Sequence, residues 1–318
     1  MNFFAILLAL LVEQARPLSH DNTVQAGLRA WARWVRRSLD TGQARQGGVA
    51  WLAAAAGPAA LVAGVHWLLA QFSLILAFAW MVLVLYHTVG FRQFSHHFTQ
   101  IRDALEAGDE TAARQALARW QRVEVQSLAR DELLRHVIEH SVLAAHRHVF
   151  GVLVWFLVLA LLGLGPAGAV LYRMAEYLSR SWRARPDGTP SPSLQQAAAL
   201  AWRWVDHVPV RLTALAFAVV GNFEDAVASW RQDAARFPDA NDGVVLAATS
   251  GAINVRLGGR ALGEPLALPA ADGVAPAPVT TDGREPQLAH LGSVVGLVWR
   301  SVVMWMLLLA LLTLARFP

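Results

Sequence analysis

Residues 49–70 and 72–91 form two nearly charge-free apolar runs of about 20 residues each, the length at which an α-helix rising 1.5 Å per residue crosses ~30 Å of hydrocarbon. Only Gln71 parts them, so they read as a tight helical hairpin. Gly57-Pro58 marks a packing kink in the first arm, and His66 and His87 read as interfacial or bundle-facing groups before ligands. A third apolar stretch, 149–171, is interrupted by Gly163-Leu164-Gly165-Pro166-Ala167-Gly168. Proline removes a backbone donor and glycine lowers helix propensity, so this stretch is one kinked span or two half-helices meeting at a turn. The last run, 291–315, is broken only by Arg300 near its start. Residues 3–12 are too few for a span and lack a basic start and a small-residue cleavage site, which makes them a retained, partly inserted helix rather than a signal peptide. Residues 208–221 are a second partial insertion. The expected fold class is all-α: a polytopic membrane protein with about four transmembrane helices, a partly inserted N-terminal helix and a helical cytoplasmic subdomain.

Composition agrees with a bilayer as solvent. Charged residues make up 16% and hydrophobic ones 55%, against a charged share near ~25% in average soluble domains. Cysteine is absent, which removes disulfides, thiolate nucleophiles, iron–sulfur clusters and cysteine zinc sites. All 27 basic residues are arginine, so a Schiff-base lysine, a P-loop lysine and a lysine general base are excluded. The formal charge is +4, and the arginines sit beside apolar runs, where anionic lipid headgroups are the expected partner and nucleic acid is not.

Arginine placement orients the chain. Arg16, Arg29, Arg33, Arg36, Arg37 and Arg45 meet few acids in residues 14–48, so that flank is expected in the cytoplasm. Residues 92–148 return to the same side, with a helical pattern around Ile101, Leu105, Ala112, Ala116 and Leu117. A single crossing at 149–171 would export Arg173, Arg180, Arg183 and Arg185; a re-entrant hairpin at the Gly/Pro turn keeps them inside. The expected divisions are an N-terminal helix and basic flank (1–48), a transmembrane hairpin (49–91), a helical cytoplasmic subdomain (92–148), a kinked or re-entrant segment (149–185), a core with the Pro-Val-Arg-Leu helix and a flexible loop (186–290), and a C-terminal transmembrane helix (291–318). Residues 186–193 and 264–285 read as flexible connections. The expected location is a bacterial inner membrane, crossed several times.

Three polar constellations carry the candidate chemistry. In Trp204-Val205-Asp206-His207-Val208-Pro209-Val210-Arg211, proline presets a first helical turn, Asp206 is placed to cap it, and Arg211 enters an apolar helix, where an arginine needs a carboxylate, a phosphate or the interface. An Asp206 to Arg211 pair that only fixes the helix entry explains the segment as well. In Tyr172-Arg173-Met174-Ala175-Glu176, Arg173 and Glu176 share one helix face. The stretch Gly251 to Arg260 holds Arg256 among glycines that would let amides approach a phosphate, although its spacing is neither a P-loop nor a dinucleotide fingerprint, and ordinary turn glycines explain it as well. His136 and His140 are four apart with Glu139 between them, but the order is not that of a zinc protease and no metal site is assigned.

Ala104-Leu105-Glu106-Ala107-Gly108-Asp109, Ala113-Arg114, Ile138-Glu139, Tyr172-Arg173, Pro209-Val210-Arg211-Leu212-Thr213, and Gly251-Ala252 with Arg256-Leu257-Gly258-Gly259 resemble, in order and spacing over roughly residues 100 to 260, the CobD/CbiB family of membrane proteins. The N-terminal part and the Asp206 to Arg211 segment look more like AmpE, a related membrane protein linked to β-lactamase regulation. The CobD/CbiB resemblance implies cobalamin biosynthesis and an adenosylcobinamide-phosphate synthase activity: ATP-dependent amide formation between adenosylcobyric acid and aminopropanol or its phosphate. It implies ATP and magnesium at the site, a corrinoid and aminopropanol phosphate as ligands, and leaves self-association into a homo-oligomer open. Glu139, Glu176 and Asp206 are the acids it offers for catalysis, and Arg173, Arg211 and Arg256 the arginines for substrate phosphate. The chain departs from the synthase pattern at Ser179, where an acid is expected, and at Glu139-His140-Ser141, which lacks a following aspartate. A non-enzymatic AmpE-like sensor is therefore the alternative, with the same charged residues bracing a membrane-edge fold.

Overall fold

The computed structural model describes residues 1–15, 23–121, 128–183, 190–259, 262 and 279–315, without the side chains of 44–45 and 91–95. Arg16, Arg185, Arg260 and most of the two expected connections lie outside the described residues. The chain is all-α among the described residues, with isolated backbone bridges but no strand. The helices are α1 (Asn2–Ala15), α2 (Thr23–Leu39), α3 (Ala44–Phe72), α4 (Leu74–Thr88), α5 (Phe91–Glu106), α6 (Glu110–Gln121), α7 (Arg130–Ala145), α8 (Gly151–Leu161), α9 (Ala167–Ser181), α10 (Pro192–Val205), α11 (His207–Val220), α12 (Phe223–Asp233), α13 (Ala240–Ile253) and α14 (Leu288–Leu314).

Three helical runs are long and apolar enough to cross a membrane by length and composition: Gln46–Phe72, Arg130–Leu161 and Leu288–Leu314. The first and last fall where the apolar runs place them. The second arm of the expected hairpin, Leu74–Thr88, has 15 residues and rises about 22 Å, short of the ~30 Å hydrocarbon core. The stretch 149–171 resolves into the two-helix alternative, since α8 ends at Leu161 and α9 begins at Ala167, with Gly163 and Gly165 at positive φ in the turn between. The long run reaches upstream instead, from α7 through a π-helical turn (His146–Phe150) into α8. Many outward side chains of α3, α4 and α14 are apolar, among them Leu61, Phe72, Ile75 and Leu311, an exposed surface that suits lipid better than water.

Local chemistry sets the helix ends. Ser73 closes α3 and opens α4, its hydroxyl accepting from the Ile75 amide. Pro192 occupies the first turn of α10, where its missing N–H costs no intrahelical bond. Asn222 caps α12 by accepting from Asp225, and Asp239 caps α13 by accepting from Asn241 and Asp242.

The chain divides into two compact units, 1–93 with 146–209 and 309–318, and 94–145 with 210–308. In the first, α3 packs on α2, α4, α9 and α10, and α8 packs on α9. A Cβ on Gly168 would strike the Trp155 carbonyl, so α8 and α9 meet backbone to backbone. In the second, α13 packs on α12 and α7 and is buried along nearly its whole length. Its small residues permit this: a Cβ on Gly251 would meet the Asp225 carbonyl, and one on Gly243 the Ala234 carbonyl.

Candidate functional site

In the first unit, α9 carries the densest charged group. Glu176 is only 2% exposed and receives a two-pronged ion pair from Arg180, with Nε 2.6 Å from Oε1 and Nη2 2.9 Å from Oε2. Arg173, one turn earlier, places Nη1 3.7 Å from Glu176 Oε2, beyond hydrogen-bond range. That nitrogen is buried and has no hydrogen-bond acceptor among the described residues. Two guanidinium groups thus share one carboxylate, which leaves a surplus positive charge and a buried donor unused. A phosphate or carboxylate oxygen is the group such a donor takes.

The residue beside Arg173 belongs to a different network. The Tyr172 hydroxyl donates to Asp206 Oδ1 at 2.8 Å, and His146 Nε2 lies 2.9 Å from the same oxygen. All three side chains are fully buried. Asp206 Oδ2 has no hydrogen-bond partner, so the carboxylate does not cap the following helix as its position ahead of Pro209 suggests; it closes α10 and turns inward. The π-helical turn begins at His146, a feature that often re-aims side chains at functional positions. Gly151 makes room, since a Cβ there would strike the Tyr172 ring and hydroxyl. A groove of about 470 Å³ between α3 and α10, walled by Trp51, Leu52, Leu200 and Trp204 with Gln196, is apolar and holds none of the expected site residues.

In the second unit, Glu139 on α7 accepts from the Gly258 amide at 2.7 Å and from Arg135 Nη1 at 3.2 Å, with His136 Nδ1 3.6 Å away. Arg135 lies against Gly259, whose φ of +107° and missing Cβ let the loop close over the guanidinium. Arg256 is exposed on this loop. The loop amides are already engaged: Arg256 to the Arg284 carbonyl, Leu257 to Thr281 Oγ1, Gly258 to Glu139, and Gly259 to the Val279 carbonyl. From Arg256 to Gly259 the loop amides thus serve the fold of the loop and none is left over for a phosphate. His136 and His140 turn to different partners, His140 lying edge-on to Trp120. Arg211 sits half-buried in α11.

The sequence named Asp206 without its partners, because His146 and Tyr172 lie 60 and 34 residues away. It named Glu139 without Arg135, which stands four residues earlier on the same helix, and without the Gly258 amide, which lies 119 residues away.

The sequence model of the family described as CobD/Cbib protein matches residues 2–270 of the chain. The chain belongs to that family. Among curated CobD/Cbib relatives, Cobalamin biosynthesis protein CobD of Stutzerimonas stutzeri is 31% identical over 247 residues, covering 76% of this chain and 75% of the relative. The protein of the same name from Chromobacterium violaceum is 34% identical over 180 residues, 57% of this chain and 55% of its own length. That from Mycobacterium tuberculosis is 41% identical over 93 residues, 28% and 25% of the two chains. No solved structure matches the chain. Within the CobD/Cbib frame, Glu176 and Asp206 in the first unit and Glu139 in the second are each committed to protein partners, and no group of three His, Asp or Glu is assembled for a metal among the described residues.

Proposed function

We propose that the protein is a multi-pass inner-membrane enzyme of cobalamin biosynthesis, an adenosylcobinamide-phosphate synthase. It joins the amine of aminopropanol, or of its phosphate, to the terminal carboxyl group of adenosylcobyric acid. ATP supplies the activation: the carboxylate oxygen takes the terminal phosphoryl group as the P–O bond to ADP breaks and ADP leaves, the amine nitrogen attacks the carbonyl carbon of the acyl phosphate, the C–N bond forms as the C–O bond to phosphate breaks and phosphate leaves, and the amine gives up a proton to solvent. The family match over residues 2–270 carries this reading, together with relatives named for cobalamin biosynthesis. The geometry that supports it is the unused Nη1 of Arg173, a donor suited to a phosphate oxygen of the amino alcohol or the nucleotide. Arg180 and Glu176 hold the cluster in place, so the positive charge is fixed before substrate arrives.

Complementation tests it. A bacterium lacking its own adenosylcobinamide-phosphate synthase, expressing this chain, is expected to grow on cobyric acid under cobalamin-dependent conditions. Arg173→Ala, still present in the membrane, is expected to lose that growth, and Arg173→Lys to recover it only in part. Absence of growth with a well-inserted wild-type chain overturns the reading. One observation favours the alternative, a non-enzymatic AmpE-like modulator of β-lactamase induction: Glu139, Glu176 and Asp206 are all buried or ion-paired, as bracing residues are. That alternative predicts an altered antibiotic response on deletion, whatever the cobalamin supply.

A further inference from the structure

The helix α2 has two chemically distinct faces. Its sequence holds Arg29, Arg33, Arg36 and Arg37 and no acid. At 3.6 residues per turn these four arginines fall within an arc of about 100°. Val24, Leu28, Trp31, Val35 and Leu39 fall within an arc of about 80° on the other side, and Trp34 sits at the border. No ion pair is formed by the four arginines among the described residues; the next acid along the chain, Asp40, accepts from the Ser191 amide instead.

Only part of the apolar arc is used inside the unit. Ala32 and Val35 are buried, and the Trp31 indole donates to the Ala53 carbonyl and lies against Gly57 of α3. Val24 stays 46% exposed and Trp34 55% exposed, the latter stacked on Trp31 at 5.2 Å. An exposed tryptophan pair flanked by unopposed arginines is what the boundary of a bilayer accommodates, with rings among the headgroup glycerols and guanidinium groups on phosphate.

Position in the fold agrees. The 29 residues of α3 rise about 43 Å, some 13 Å more than the hydrocarbon needs. The far half of α3 stays apolar to its end, through Trp67, Leu68 and Phe72, and packs beside apolar α4, with Trp80 donating to the Val62 carbonyl, while α2 packs on the near half. The surplus length therefore falls on the side that carries α2.

We infer that α2 is an interfacial helix that docks the protein onto an anionic bilayer surface, its arginine arc binding phospholipid headgroups and its Val24, Trp31 and Trp34 edge entering the headgroup boundary. The inference rests on reading α3 as membrane-crossing. Since the chain has no cysteine, single cysteines report cleanly. The full-length protein is labelled with an environment-sensitive fluorophore at Val24→Cys, Arg33→Cys or Leu61→Cys. It is reconstituted in phosphatidylcholine vesicles, pure or with about a third phosphatidylglycerol, containing lipid brominated near the headgroup end of the acyl chain. The Leu61 label is expected to be quenched in both. The Val24 label is expected to be quenched about two-fold more with phosphatidylglycerol than without, and the Arg33 label in neither. Replacing all four arginines by glutamine should abolish the dependence on phosphatidylglycerol while Leu61 stays quenched. A Val24 label as wet as the Arg33 label, beside a quenched Leu61, overturns the inference alone. An unquenched Leu61 overturns the membrane reading of α3 and the inference with it.

Discussion

A buried carboxylate shared by a phenol and an imidazole is costly to disturb. Asp206 is fully buried and keeps only Oδ1 satisfied, so Tyr172→Phe removes one of two polar contacts from a group that has lost its water. The expected cost is about 1–3 kcal/mol, read as a lower melting temperature in detergent. Gly151→Ala is expected to cost as much or more, because the new methyl meets the Tyr172 ring rather than a flexible chain end. Arg173→Ala is expected to behave differently, with little effect on melting because its Nη1 makes no hydrogen bond, but with loss of complementation. Stability and activity should thus separate between two neighbouring residues of α9. Local charge pairing was legible in the sequence, since Arg173 and Glu176 stand three apart; the use of Tyr172 was not, because its partners come from α10 and from the π-helical turn.

Helix-scale features divide the same way. Apolar runs of about 20 residues announce α3 and α14 because hydropathy and length act over a contiguous window. The run through α7 into α8 escaped that reading: Asp131, Glu132, Arg135 and Glu139 fill its first half, and the contact that holds Glu139 inside the protein, the Gly258 amide, comes from a residue far along the chain. Small residues were equally silent. Gly168 read as a helix weakener and Gly251 as one of a run of phosphate-approach or turn glycines, yet each admits a neighbouring carbonyl where a side chain would collide. Gly251→Ala is expected to loosen the α12–α13 pair, lowering the melting temperature more than Gly64→Ala, whose Cβ would meet open space. Thermal unfolding of the two variants in the same detergent checks this.

Over the whole chain, the all-α class and the membrane-suited outer faces follow from composition, while the division into two units does not, because each unit gathers segments from distant parts of the sequence. The second unit shows how such a division is held. Val255 bridges to Arg284 and Gly258 to Thr280, and Ser250 reinforces the pair through Thr281 and the Asp282 carbonyl. Whatever runs between Gly258 and Thr280, its two ends are fastened side by side. Closing a loop costs free energy only as the logarithm of its length, about 0.6 kcal/mol per doubling. This clasp is thus a natural port for a genetically encoded cargo: an affinity tag or fluorescent domain spliced after Leu262 on flexible linkers is expected to leave cobyric-acid-dependent growth intact, where the same cargo spliced into α13 would not.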